Sequence, residues 1–143
     1  MNPENELSWA AGFVDGDGSI LVGEDRPGVF GLKLNATNRH YPSLDRLAQL
    51  FGGQVRFLTQ RGFHIGWWQL TGHKAQAAIR KLSPYLFTKQ RQARIALLMP
   101  IASRGGRADR MGSWSHLAQR LAYLEMGRLN ATASDLSAVS RSR

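Results

Sequence analysis

The chain has 143 residues, enough for one packed domain and too few for two ordinary ones. A hydrophobic content of 43% excludes a wholly disordered chain, the lack of cysteine excludes disulfides and thiolate zinc sites, and no apolar run approaches the roughly 20 residues of a membrane helix. A net charge of +9 and a pI near 11.1 favour a polyanionic partner, nucleic acid ahead of an acidic membrane surface.

Residues 5–15 are predicted as a helix, with Leu7, Ala10, Ala11 and Val14 at helical spacing and Asp15-Gly16-Asp17-Gly18 as its stop. Residues 19–24 form a short strand, and residues 24–28 carry turn chemistry around Pro27-Gly28. Residues 29–37 alternate as a second strand, Phe30, Leu32 and Leu34 on one side and Val29, Gly31, Lys33 and Asn35 on the other. A helix opens near Pro42 with an apolar stripe of Leu44, Leu47, Leu50 and Phe51, and Gly52-Gly53 ends it. A second round follows: strand 54–59, a turn at residues 60–62, strand 63–71, and helix 74–82 stopped at Ser83-Pro84. Residues 85–99 are predicted as one further helix, residues 103–112 as a basic loop, and residues 114–126 as a last amphipathic helix. Residues 127–143 read as a mobile basic Ser/Arg-rich tail beyond a single domain of residues 1–126.

Strand pairs interleaved with helices imply an α+β fold with one four-stranded antiparallel sheet and helices packed on one face. The other face then stays free, and on the first two strands it mixes polar, small and basic side chains. The basic excess lies late in the chain: from Ser83 onward ten Lys or Arg outnumber three acids. The first six residues are polar and partly acidic, neither a secretory signal nor a transit peptide, which points to an intracellular protein.

The run Trp9-Ala10-Ala11-Gly12-Phe13-Val14-Asp15-Gly16-Asp17-Gly18-Ser19-Ile20 resembles the signature of the LAGLIDADG homing endonucleases. Ala10 stands for the leading Leu, and Gly16 for the Ala between the two acids. The string closes a helix and opens a hairpin, as that family's signature does. Ala10, Ala11 and Gly12 carry little side-chain volume, so two copies of the helix can approach below the usual ~8–10 Å interaxial distance. Asp15 and Asp17 sit at a helix C-terminus, the unfavourable end for carboxylates, where a cation and free backbone carbonyls relieve them.

The resemblance implies an αββαββα fold with a saddle-shaped sheet and extra C-terminal helices. One motif per chain implies a homodimer joined through Trp9, Ala10, Ala11, Gly12 and Phe13, each subunit covering one half of a long, roughly palindromic double-stranded DNA site. The implied activity is Mg²⁺-dependent (or Mn²⁺-dependent) hydrolysis of both strands with short 3′ overhangs, on bacterial, phage or organellar DNA, with no small-molecule cofactor and no membrane. Asp17 is the implied metal ligand, helped by the Gly16 carbonyl, and Asp15 is implied to be structural, tied to backbone. A second segment, Leu82-Ser83-Pro84-Tyr85-Leu86-Phe87-Thr88-Lys89-Gln90-Arg91-Gln92-Ala93, resembles the family stretch whose lysine enters the active site, which points to Lys89. At the end of the second strand, where the family carries water-ordering polar and basic residues, the alignment places Ala36 and His40, with Asn35, Asn38 and Arg39 close by.

Strand alternation nominates Lys33, Arg56, Gln69 and Thr71 for DNA contacts, with Arg61 at a hairpin tip. Arg and Lys can read guanine edges and Gln adenine. Arg104 and Arg107 supply phosphate affinity. Two other readings compete: a cleavage-inactive binder on the same scaffold (an intron-RNA maturase or a regulator), and an unrelated histidine–metal nuclease. The latter is disfavoured because His40, His64, His73 and His116 show no close ligand spacing.

Overall fold

A computed structural model describes residues 2–101 and 112–141 of the chain. Helix α1 spans Pro3–Asp17, started by the Asn2 side chain, which accepts the Asn5 N–H at 2.8 Å, with Pro3 in the first turn and Glu4 and Glu6 at the favourable N-terminal end. Its last turn closes through the Gly18 N–H onto the Val14 carbonyl, and strand β1, Gly18–Arg26, begins at once. Only glycine fits at this joint. A Cβ on Gly18 would lie 2.9 Å from the Val14 Cα and carbonyl oxygen and 3.0 Å from the Asn35 carbonyl oxygen.

Strand β2, Val29–Asn38, pairs antiparallel with β1 across the Pro27-Gly28 tip, setting Gly18 opposite Ala36. Helix α2, Tyr41–Phe51, leads to β3, Gln54–Gln60, and β4, Phe63–Thr71; helix α3, Gly72–Leu82, follows. All pairings are antiparallel and the sheet order is β1-β2-β4-β3. The structure is the α+β architecture that strand pairs and helices predict.

One face of the sheet is sealed. Ile20, Val22, Phe30, Leu32, Leu34, Ala36, Trp68 and Leu70 point into a core shared with Ala10, Val14, Leu44, Leu47, Ile79 and Leu82. Trp68 is fully buried, and its indole N–H donates to the Gly52 carbonyl at 2.9 Å, so the largest core side chain leaves no donor unpaired. Gly66 lets α2 seat on the sheet, because a Cβ there would overlap Leu44 and Tyr41.

Two helical boundaries differ from expectation. Residues 85–99 are not one helix: a 3-10 turn occupies Ser83–Tyr85, residues 86–89 are non-helical, and α4 runs only over Gln90–Leu98. The cause is tertiary, since the N–H groups of Phe87 and Lys89 donate to the Asp15 side chain instead of to helical carbonyls. The last helix, α5, extends over Trp114–Arg141, well past residue 126. Asn130 on it donates to the Ile20 carbonyl at 3.2 Å, which anchors this extension to β1. Among the described residues no helix is long and apolar enough to cross a membrane.

Candidate functional site

The two acids that end α1 have different surroundings. Asp15 is half-buried and each of its oxygens holds a backbone donor: Oδ2 accepts the Phe87 N–H at 2.7 Å and Oδ1 the Lys89 N–H at 3.0 Å. It is tied to backbone, as expected of a structural acid, but to a segment more than 70 residues further along. Asp17 is exposed at the helix end. Its Oδ2 accepts one hydrogen bond, 2.7 Å, from Asn38 Nδ2.

Asn38 is itself oriented from behind, its Oδ1 accepting the His40 N–H at 2.7 Å. The chemistry fixes the amide's orientation, because a carboxylate can only accept and a backbone N–H can only donate. His40 takes a different place from the one assigned to it: its Nδ1 pairs with Ser43 Oγ at 2.7 Å at the start of α2. It reaches Asp17 only through its backbone and Asn38. Ala36 is fully buried on the core side and cannot face solvent or substrate.

Lys89 arrives from the segment that Asp15 holds. Its Nζ donates to the Asp15 carbonyl oxygen at 2.7 Å, one of the C-terminal carbonyls that a helix leaves unpaired. Burial pulls the Lys89 pKa below the usual lysine range, and the charges of Asp15 and Asp17 only partly oppose that pull. Asp17 of α1, Asn38 of β2 and Lys89 of the segment before α4 thus meet at the C-terminal end of α1.

Beside this end lies the open face of the sheet. Residues paired across the strands share a face, so Asn35, Gln69 and Gln54 form one row, Lys33 and Thr71 a second, and Thr37, Trp67 and Arg56 a third. Gln54, Arg56, Trp67, Gln69, Thr71 and Lys74 line a groove there. The Arg56 guanidinium stands 5.9 Å from the Trp67 ring centroid, which places Trp67 on the open side. Lys33 is on the predicted face but is not a free cation: Nζ is bound to Asp25 Oδ1 at 2.7 Å. Arg61 sits at the β3–β4 tip with a φ of 51°. Arg104 and Arg107 lie outside the described residues.

The expected helix–helix contact needs correction. Ala10 and Ala11 are 0% exposed, consumed by the core of their own chain, and offer a second chain nothing. The outward stripe of α1 consists of Ser8, Gly12 and Gly16, flanked by half-exposed Trp9 and Phe13 with ring centroids 5.6 Å apart. Sequence reasoning set Asn38 only among the neighbours of Ala36 and His40, and gave Asp25 and Gln54 no role. Strand β2 continues two residues beyond Ala36 and so reaches Asp17, but the register that sets this depends on an irregularity between Glu24 and Arg26 that no sequence pattern announces.

No protein-family model matches the sequence, and no curated protein is significantly similar to it. Solved structures are. The homing endonuclease I-CvuI, crystallised with its target in the presence of Ca, shares 25% identity over 90% of this chain and 85% of its own, with a TM-score of 0.68. I-CvuI with the I-CreI target and Mg, its DNA not cleaved, gives 25% identity over 88% and 82%, with a TM-score of 0.66. The archaeal intron-encoded homing endonuclease I-Vdi141I, complexed with DNA, is similar in fold at 14% identity over 90% and 86%, with a TM-score of 0.63.

Proposed function

Because the chain belongs to the LAGLIDADG homing endonuclease family, we propose that it is a site-specific, divalent-metal-dependent endonuclease that acts as a homodimer. Its substrate is a long, nearly palindromic duplex DNA site, cut on both strands to leave short 3′ overhangs. The observation that carries this reading is the meeting of Asp17, Asn38 and Lys89 at the end of α1, beside an open cationic sheet face.

The residues present suit a hard cation. Asp17 is an exposed carboxylate, and the Gly16 carbonyl is next in the series after Val14 and Asp15, whose carbonyls are taken by Gly18 N–H and Lys89 Nζ. Both are oxygen donors, the preference of Mg²⁺ and Ca²⁺. Asp17 and the Gly16 carbonyl would hold a divalent ion, which when bound would supply positive charge near the scissile phosphate and lower the pKa of a coordinated water.

The chain's own residues do the rest. Asn38 fixes one oxygen of Asp17 and so aims the other. The Lys89 ammonium stabilises charge gathering on the phosphate or assists the attacking water. Lys33, Arg56, Arg61, Gln69 and Thr71 lie where a major groove would meet the sheet, and Trp9, Gly12 and Phe13 lie where a second α1 would pack.

The test is selection of cleaved sites from a randomised duplex library with Mg²⁺, comparing wild type with Asp17→Asn. A long, nearly palindromic site cut by wild type alone is the expected result. Specific binding with cleavage by neither protein would make the chain a cleavage-inactive binder. Equal cutting by both would remove Asp17 from the mechanism.

A further inference from the structure

The β3–β4 hairpin carries an apolar strip where polar side chains would be expected. Leu58 and Ile65 face each other on the same side as Arg56 and Trp67, and Phe63 follows two residues from Ile65 on that side. Leu58 is 49% and Phe63 54% exposed; on the opposite side Val55, Trp68 and Leu70 supply the core, and Phe57, 64% exposed, packs edge-on against Tyr41. A one-sided antiparallel sheet normally turns polar residues to solvent, so a run of exposed large apolar groups calls for a partner.

The surroundings say which partner. Arg56 borders the strip on one side and Arg61 lies at the tip, while the Arg39 guanidinium sits 4.3 Å from the Phe63 ring centroid. An apolar strip framed by three arginines suits a surface that is anionic at its margins and apolar at its centre. A second copy of this chain, itself at +9, would set like charges against those arginines. Duplex DNA fits the pattern: phosphates run along both walls of the major groove, and the thymine C5-methyl is the apolar group on its floor.

We propose that Leu58, Ile65 and Phe63 read thymine methyl groups in the half-site, with Arg39, Arg56 and Arg61 on the flanking phosphates or base edges. This rests on the open sheet face lying in the major groove. The strip adds selectivity for thymine over cytosine, which presents an amino group where thymine has a carbonyl and lacks the methyl.

The experiment uses the full chain and its selected duplex, with each thymine replaced in turn by deoxyuridine, a change that removes one methyl and no hydrogen-bonding group. Wild type should lose about fourfold in affinity at one or more thymines per half-site, the ratio expected for burying one methyl group. The Leu58→Ser/Phe63→Ser variant should bind the thymine and deoxyuridine duplexes equally at those positions and still discriminate at base changes elsewhere. Both side chains are exposed, so the variant should melt with the wild type. Wild-type indifference to every replacement overturns the proposal, as does a variant that keeps the discrimination. A variant that changes the oligomeric state with discrimination intact makes the strip a contact between copies. Absence of any sequence-specific complex instead fails the reading of the whole sheet face, and this proposal with it.

Discussion

Asp15→Ala removes a carboxylate that accepts two backbone N–H bonds, from Phe87 at 2.7 Å and from Lys89 at 3.0 Å. A hydrogen bond to a charged acceptor contributes about 1.5–3 kcal/mol net. The Phe87 pair is exposed and its donor regains water, whereas the Lys89 N–H is partly buried and is left without a partner. Together the losses come to about 3 kcal/mol, and a domain of this size then melts about 6–12 °C lower. Asp17→Ala removes one exposed acceptor and should cost about 0.5 kcal/mol or less. The assay is thermal unfolding followed by circular dichroism, with cleavage measured on the same preparations. Asp15→Ala should be destabilised, and Asp17→Ala should melt like wild type yet fail to cut. An Asp15→Ala midpoint within about 2 °C of wild type would refute the reasoning, because two charge-assisted bonds cannot be lost that cheaply. So would an Asp17→Ala protein as destabilised as Asp15→Ala.

Other outcomes follow from single contacts. Asn38→Ala frees Asp17 and should lower the cleavage rate about 10–100-fold while leaving DNA affinity unchanged in a gel-shift titration. Asp25→Asn releases Lys33 to the DNA; binding to random-sequence duplex should tighten, and the slope of log affinity against log salt should steepen by about one. Lys89→Met should abolish or strongly slow cleavage yet raise the melting temperature. Burial lowers the Lys89 pKa, so its charge costs stability at neutral pH, and the cost fades as pH rises toward the ordinary lysine value; the variant's advantage should shrink over the same range. His116 is buried against Phe30 and, among the described residues, neither ring nitrogen is hydrogen-bonded, so His116→Leu should stabilise by about 1 kcal/mol, read as a rise of about 2–4 °C.

What the residues disclosed in advance was mostly local. Alternation in β2 separated Phe30, Leu32 and Leu34 from Lys33 and Asn35, because one buried sheet face imposes a period of two. The same logic turned Gln69 and Thr71 toward the open face. The acids at the end of α1 were legible because a helix C-terminus is a poor place for two carboxylates without a task. Long-range partners were not. Nothing near Asp15 in sequence says that Phe87 and Lys89 will bond to it, and that bonding is why residues 86–89 leave the helical path. Ala10 and Ala11 misled for a related reason. Small residues permit close packing equally well on either side of a helix, and here the sheet and α3 of the same chain take that side. Asn38 depended on strand register. Centring the hairpin on Pro27-Gly28 would set Gly18 opposite Thr37; an irregularity between Glu24 and Arg26 moves it opposite Ala36, so the register that brings Asn38 to Asp17 could not be counted off the sequence.

The tie between Asp15 and residues 87–89 also governs how such a protein would fail. Lys89 keeps its place only while a non-helical stretch of four residues stays fastened to the end of α1. Opening that stretch withdraws the cation from Asp17 but disturbs no strand pairing, so the surface facing the DNA stays assembled. A molecule damaged or loosened there would still occupy its site and leave it intact. For a homing endonuclease, loss of that fastening would remove the blade and leave the grip, so damage of this kind would make it inert before it made it indiscriminate.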